Sequence, residues 1–264
     1  MHGIPSMNKL SQDFRSAGID PGDIVLVHSN LIRTIARYLR LGHKISVNDT
    51  LEALLWAVGN EGTLLFPLFN FDFTKGVPFD IKTTPSHMGV LTECARLYVG
   101  CVRTGHPIYS FGVIGRDAKL FSGVDNISGY GSDSPFGMLH RMNGKIAVLD
   151  LPDSRCMTFY HYIEEANAVP YRYHKFFSGL YTGFSGVTEE KKYSIYVRDL
   201  DRGVVSALDP MGELMWQEGL CRGDRPGEGV GLRVIEVPAM YDFVSRQINE
   251  GKAEGLLYTI EREK

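Results

Sequence analysis

Short runs that are apolar throughout alternate along this chain with longer segments in which apolar residues recur every three or four positions, the signatures of buried strands and amphipathic helices. Ile24-Val-Leu-Val-His28, Gly62-Thr-Leu-Leu-Phe66, Ser110-Phe-Gly-Val-Ile114 and Gly144-Lys-Ile-Ala-Val-Leu-Asp-Leu151 read as strands, most of them buried on both faces. The intervening pattern predicts helices over 8–17, ended by Gly18, and over 31–41, 48–58 and 89–97. Ser134-Pro-Phe-Gly-Met-Leu-His-Arg141 begins with an N-cap serine and a proline at the first helical position. Strands alternating with helices predict a layered α/β fold, with a largely parallel central sheet flanked by helices.

The texture changes after Pro170. Residues 176–184, 192–200 and 229–237 read as strands separated by turns, and 238–249 as a closing helix. A smaller antiparallel β subregion is therefore expected in the C-terminal third, at about 176–237, within one domain spanning residues 1–264. At 264 residues and 44% hydrophobic, the chain can bury a large core.

Between the second strand and the 89–97 helix lies a stretch without periodicity that carries Phe69, Phe71, Phe73 and Phe79 among Asn70, Asp72, Lys75 and Asp80. Loops of this length are commonly functional, and such aromatic content argues against disorder. A substrate-facing loop is expected here, with Phe71, Asp72 and Asp80 as contacts.

The sharpest candidate for chemistry follows the fourth strand, in Thr158-Phe-Tyr-His161-Tyr-Ile-Glu164-Glu165. Thr158, His161 and Glu164 recur at i, i+3 and i+6, so on a helix each is turned by about 60° from the last and all share one broad face. A histidine beside a carboxylate suits a general base whose tautomer is fixed by its neighbour. The competing reading is a packed histidine with a solvated helix acid. A zinc reading lacks an HExxH or similar motif.

Other segments carry weaker signals. His28-Ser29-Asn30-Leu31 joins a strand to a helix, where free backbone N–H groups suit a phosphate and Arg33 adds charge one turn on. An ordinary capped turn explains the same residues. Arg103-Thr-Gly-His106-Pro-Ile-Tyr-Ser110 gathers Arg, His and Ser in a turn that can equally be structural. His87, His140 and His174 read as surface or packing residues, and His43 as exposed. There is no GxGxxG, GxxxxGK[ST] or GxSxG motif. Gly227, Gly229 and Gly231 alternate as in a flexible hairpin, with the third glycine too early for a dinucleotide fingerprint.

A net charge of −3 and the lack of any Lys/Arg run give no nucleic-acid or membrane footprint, so small molecules are the expected partners. Cys94, Cys101, Cys156 and Cys221 form no CxxC pair or zinc spacing, which fits a reducing cytoplasm. The N-terminus lacks the charged start and apolar run of a signal peptide, no segment approaches 18 consecutive apolar residues, and Met7 offers an alternative start.

Taken together, six segments resemble the aminoglycoside 3-N-acetyltransferase family: 22–31, 62–67, 84–89, Arg103 to Phe111, Ser134 to Leu139, and Thr158-x-x-His161-x-x-Glu164. They occur in the family's order over the first two thirds of the chain, and the resemblance fades after about residue 185. Asn30 stands where the family often has a second serine, and Thr104 where a serine is usual. The resemblance implies acetyl-CoA-dependent transfer of an acetyl group to an amine, with acetyl-CoA as co-substrate and no metal. It implies His161 as general base, Glu164 as the group that orients it, and Thr158 as a donor to the developing oxyanion or the leaving thiolate. It further suggests that His28, Ser29, Asn30, Leu31 and Arg33 hold the coenzyme phosphates, and that Ser110, Phe111, Ser134, Pro135 and Phe136 line its pantetheine arm.

The acceptor is read as an aminoglycoside or as an amino sugar destined for a surface polysaccharide, with Phe71, Asp72, Asp80 and His106 as contacts. Polycationic aminoglycosides call for acidic residues around the acceptor, whereas Asn70-Phe-Asp-Phe73 suits stacking on a sugar ring or a nucleotide-linked sugar. A non-catalytic CoA- or sugar-binding protein and a metal-dependent hydrolase are the alternatives, and a homodimer is left open.

Overall fold

The computed structural model describes residues 3–225 and 231–261. The first half of the chain runs α1 (Gly3–Ser16), β1 (Ile24–Ser29), α2 (Leu31–Arg40), α3 (Val47–Val58), β2 (Thr63–Pro67), β3 (Phe79–Asp80), α4 (Val90–Arg96), β4 (Val102–Arg103) and β5 (Phe111–Gly115). It continues with α5 (Pro135–Arg141), β6 (Lys145–Leu149), α6 (Phe159–Ala166), β7 (Arg172–Thr182) and β8 (Thr188–Arg198). The last stretch holds β9 (Val204–Ser206), α7 (Asp209–Gln217), β10 (Cys221–Gly223), β11 (Leu232–Glu236), α8 (Val237–Asn249) and β12 (Tyr258–Ile260).

Seven strands make the central sheet, in the order β10-β11-β6-β1-β2-β5-β4. Its middle is parallel, β1 lying between β6 and β2, and the pairing turns antiparallel at both margins. Period-two alternation sorts each central strand between two apolar layers. Val25, Val27, Leu64, Phe66, Ala147 and Leu149 pack with residues of α1, α3 and α4 on one face. Leu26, Leu65, Ile146 and Val148 pack with residues of α5, α6, α7 and α8 on the other. The layered α/β architecture expected from the sequence is therefore present, with its parallel portion confined to the centre.

The C-terminal third is less unified than the sequence suggests. β7 and β8 form a long antiparallel ribbon, and β3 joins it in parallel through Phe79 and Asp80. The strand expected at 229–237 is β11, which pairs with β6 and belongs to the central sheet. Its apolar residues Leu232, Val234 and Ile235 find partners on both faces of that sheet, and this draws it away from the ribbon. Gly227 and Gly229 lie outside the described residues.

Candidate functional site

α6 follows the central parallel strands at their C-terminal ends, where open α/β sheets commonly place ligands. β6 is buried along its whole length, and Asp150 then takes a positive φ of 56° to turn the chain out of the sheet. Phe159, Tyr160, Ile163 and Glu164 anchor α6 in the core. His161 sits at the edge of that buried stripe and lines a cavity of about 540 Å³. Thr158 is the N-cap residue with helical dihedrals, so the shared face predicted for Thr158, His161 and Glu164 is formed.

His161 and Glu164 meet at a Nδ1–Oε2 distance of 2.6 Å. Because a carboxylate only accepts, Nδ1–H is the donor and Nε2 carries the lone pair. The first residue of β7 completes the arrangement. Arg172 Nε stands 2.7 Å from the same Oε2 as an ion pair, while its guanidinium donates to the Tyr196 carbonyl at 3.0 Å and to Ser206 at 3.3 Å. Burial would raise the Glu164 pKa, but Arg172, His161 and the Tyr171 phenol outweigh it and hold the carboxyl below its usual 4.5. Burial and then the Arg172 charge push His161 below 6.5, against the opposing pull of Glu164. At neutral pH the pair is thus an ionised carboxylate beside a neutral imidazole, the state a general base requires. The Tyr130 ring stands edge-on to His161 at 5.4 Å and fixes its outer flank.

The cavity is walled mainly by aromatic residues and by the ribbon. Phe71, Tyr109 and Tyr130 form one side, while Tyr173, Lys175, Phe177, Ile195, Val197 and Arg198 form the other. The ribbon residues were not singled out from the sequence. The signal that would have found them is the period-two run Tyr173-x-Lys175-x-Phe177, whose partners Val197, Ile195 and Tyr193 face them across β8.

Several expected contacts are used elsewhere. The 68–88 segment is mainly a packed strap, since Leu68, Phe69, Phe73, Phe79 and Ile81 are buried, and of its residues Phe71 and Thr74 reach the cavity. Asp72 pairs with Lys75 at 3.1 Å and lies 3.5 Å from His87, and Asp80 accepts from the Lys82 and Thr83 amides at 2.7 and 3.2 Å. His106 is wholly buried. Its Nδ1 accepts from the Ile108 and Tyr109 amides at 3.2 and 3.0 Å, and its Nε2 donates to the Ser194 carbonyl at 3.3 Å. It organises a turn instead of meeting a substrate.

The residues suggested for the coenzyme divide in the same way. Ser110, Phe111, Ser134, Pro135 and Phe136 are buried: Ser110 accepts from Arg103 and donates to Leu68, Ser134 caps α5, and the phenyl rings pack edge-to-face at 5.0 Å. Leu31 is buried, and Asn30 caps α2 by accepting from the Ile32 amide at 3.2 Å. Ser29 is half-buried and Arg33 exposed at that turn. His28 is buried with no hydrogen bond to Nε2, and burial followed by the nearby Arg233 charge lowers its pKa to about 3. The Thr158 hydroxyl donates to the Cys156 carbonyl at 3.0 Å.

Against known proteins, the profile of the aminoglycoside 3-N-acetyltransferase family matches residues 26–249. The chain belongs to that family. Aminoglycoside N(3)-acetyltransferase VII of Streptomyces paromomycinus is 24% identical over 191 residues, covering 64% of this chain and 63% of the relative. Aminoglycoside N(3)-acetyltransferase IX of Micromonospora chalcea is 24% identical over 186 residues, covering 61% and 62%. The matches thus span less than two thirds of either relative's length. Among solved structures, AAC-IIIb in binary complex with CoASH superposes with a TM-score of 0.77 at 22% identity, covering 93% of this chain and 96% of that one. YokD of Bacillus subtilis gives 0.75 at 20% identity, covering 93% and 94%, so the fold is shared over nearly the whole chain.

Among the described residues of this family member, no group of three or more His, Cys, Asp and Glu side chains is placed to hold a metal, and no helix is long and apolar enough to cross a membrane. Cys94, Cys101, Cys156 and Cys221 are all free thiols.

Proposed function

We propose that this protein is an acetyl-CoA-dependent N-acetyltransferase that acts on the amine of an aminoglycoside or amino sugar, with His161 as general base. The observation that carries the proposal is the chain Arg172–Glu164–His161, which ends in a neutral imidazole on the wall of an aromatic cavity. An amine arrives largely protonated at neutral pH. His161 Nε2 takes this excess proton and passes it to solvent, the freed nitrogen lone pair forms the bond to the thioester carbonyl carbon, and the nitrogen then gives a second proton to Nε2 as the carbon–sulfur bond breaks with its electrons on sulfur. The leaving thiolate takes up a proton, and His161 returns to its neutral form.

Glu164 orients the ring and stabilises the imidazolium, and Arg172 keeps the buried carboxylate ionised. Thr158 Oγ1, one turn before His161, can donate to the developing oxyanion once it releases the Cys156 carbonyl. Acetyl-CoA supplies the acyl group when bound. The strand-to-helix turn at His28 to Leu31, with Ser29 half-buried and Arg33 exposed, fits its phosphates, whereas the buried Ser110, Phe111 and Ser134 to Phe136 fit a role in packing behind the site. The membership in an aminoglycoside 3-N-acetyltransferase family and the fold shared with a CoASH complex support this reading.

The test is thiol release from acetyl-CoA by the purified protein across a panel of amines. Release that depends on both an amine and His161 is expected. Failure to bind acetyl-CoA would end the proposal.

A further inference from the structure

Building on the transferase reading, we infer that the acceptor is an anionic amino sugar, one linked to a nucleoside diphosphate, and not a polycationic aminoglycoside. Arg172, Lys175 and Arg198 contribute to the cavity beside His161, while no Asp or Glu lines it. Arg172 is neutralised by Glu164. Lys175 and Arg198 are exposed on the ribbon; Lys175 Nζ stands over the Phe177 ring at 5.7 Å, and neither side chain forms an ion pair with a carboxylate among the described residues, which leaves two positive charges without a carboxylate partner at the cavity.

The nearby acids do not redress this balance. Glu164 is shielded behind His161 and Arg172, Asp72 is paired with Lys75, and Glu165, whose charge reaches Tyr196, accepts from the Ser128 hydroxyl at 2.7 Å and does not line the cavity. A substrate bearing several ammonium groups would bring like charges together in a partly desolvated cleft, an arrangement that acts against binding. A diphosphate instead offers negative charges to match Lys175 and Arg198. Phe71, Tyr173 and Phe177 supply flat apolar faces for a sugar ring or a base. The volume of about 540 Å³ lies in the range of pockets that enclose a ligand of this size.

The coenzyme carries phosphates too, so the experiment separates the two sources. Isothermal calorimetry would measure binding of UDP-glucosamine, glucosamine 1-phosphate, glucosamine and sisomicin to the CoA-loaded protein, and of acetyl-CoA to the free protein. Wild type would be compared with Lys175→Met/Arg198→Met and with Arg198→Glu, each checked for an unchanged circular-dichroism melt. UDP-glucosamine is expected to bind about tenfold or more tighter than glucosamine and sisomicin and more tightly than glucosamine 1-phosphate, with the advantage lost in both variants and acetyl-CoA affinity held within about twofold, whereas glucosamine 1-phosphate binding as tightly as UDP-glucosamine overturns the nucleoside-diphosphate assignment. Tighter binding of sisomicin, equal or undetectable binding of all four ligands, or survival of the anion preference in the variants overturns the inference. So does a loss of acetyl-CoA affinity in the variants, which would assign these cations to the coenzyme. Acetyl-CoA that fails to bind even the wild type refutes the transferase reading itself, an outcome distinct from every one of these.

Discussion

His106 is fully buried and His161 largely so, with 0% exposure for the first and 16% side-chain exposure for the second, and burial lowers the pKa of each below 6.5. They differ in what their nitrogens touch. Both nitrogens of His106 are consumed by backbone groups, and protonating Nδ1 would break its two amide contacts, in keeping with a pKa of about 4. His161 gives one nitrogen to a carboxylate that favours the imidazolium and keeps the other at a cavity wall. Burial alone therefore does not distinguish a catalytic histidine from a structural one. The distinction lies in a nitrogen left for substrate and a neighbour that rewards proton uptake.

The comparison breaks most visibly in turnover. His161→Ala should lower kcat by about 10²- to 10⁴-fold while acetyl-CoA affinity stays near that of the wild type, since a general base acts in the chemical step. Steady-state kinetics with a calorimetric Kd would show it, and retention of more than a few per cent of activity would falsify the base assignment.

Glu164→Gln should cost less activity than His161→Ala but more stability, because it leaves the Arg172 cation buried without its carboxylate. Breaking such a pair typically costs about 3–5 kcal/mol. Urea unfolding measures this, and an activity loss equal to or greater than that of His161→Ala would move the proton-carrying role to the glutamate.

His106→Ala should show the reverse signature. It strands the Ile108 and Tyr109 amides, each worth roughly 1–3 kcal/mol when left unsatisfied, and should leave kcat of the folded fraction within a few fold. A stable variant with crippled turnover would make His106 a functional residue after all.

A smaller, graded effect concerns pH. His28 and His106 have folded pKa values of about 3 and about 4, below the 6.5 of an unfolded histidine. The unfolded chain therefore binds more protons below that value. Their contribution is fully present above pH 6.5 and is lost as pH falls towards 4 and then 3, by at most about 1.4 kcal/mol per unit for each histidine. Denaturant midpoints across that window should fall with acidification, less steeply in His106→Ala. The acid limb of kcat/KM should likewise have its midpoint below 6.5, because His161 is lowered too. The smallest change is expected from Asp72→Asn, which removes a half-exposed pair with Lys75 and should leave KM within about twofold.

The sequence by itself determined the parallel centre of the sheet, because β1, β2 and β6 are apolar enough to be read as buried strands, and it determined the pairing of His161 with Glu164, because i, i+3 spacing on a helix fixes that contact. The start of α5, with Ser134 as its N-cap and Pro135 at the first helical position, was legible from equally local signals. Tertiary structure alone decided the rest. Arg172 reaches Glu164 because the chain reverses after α6, His106 is sealed when Ser194 of the ribbon comes to lie on it, and Phe69 and Phe73 turn inward because the 68–88 strap is clamped by β7. Each of these contacts joins residues from different elements, and no periodicity along one element encodes which face another element will cover.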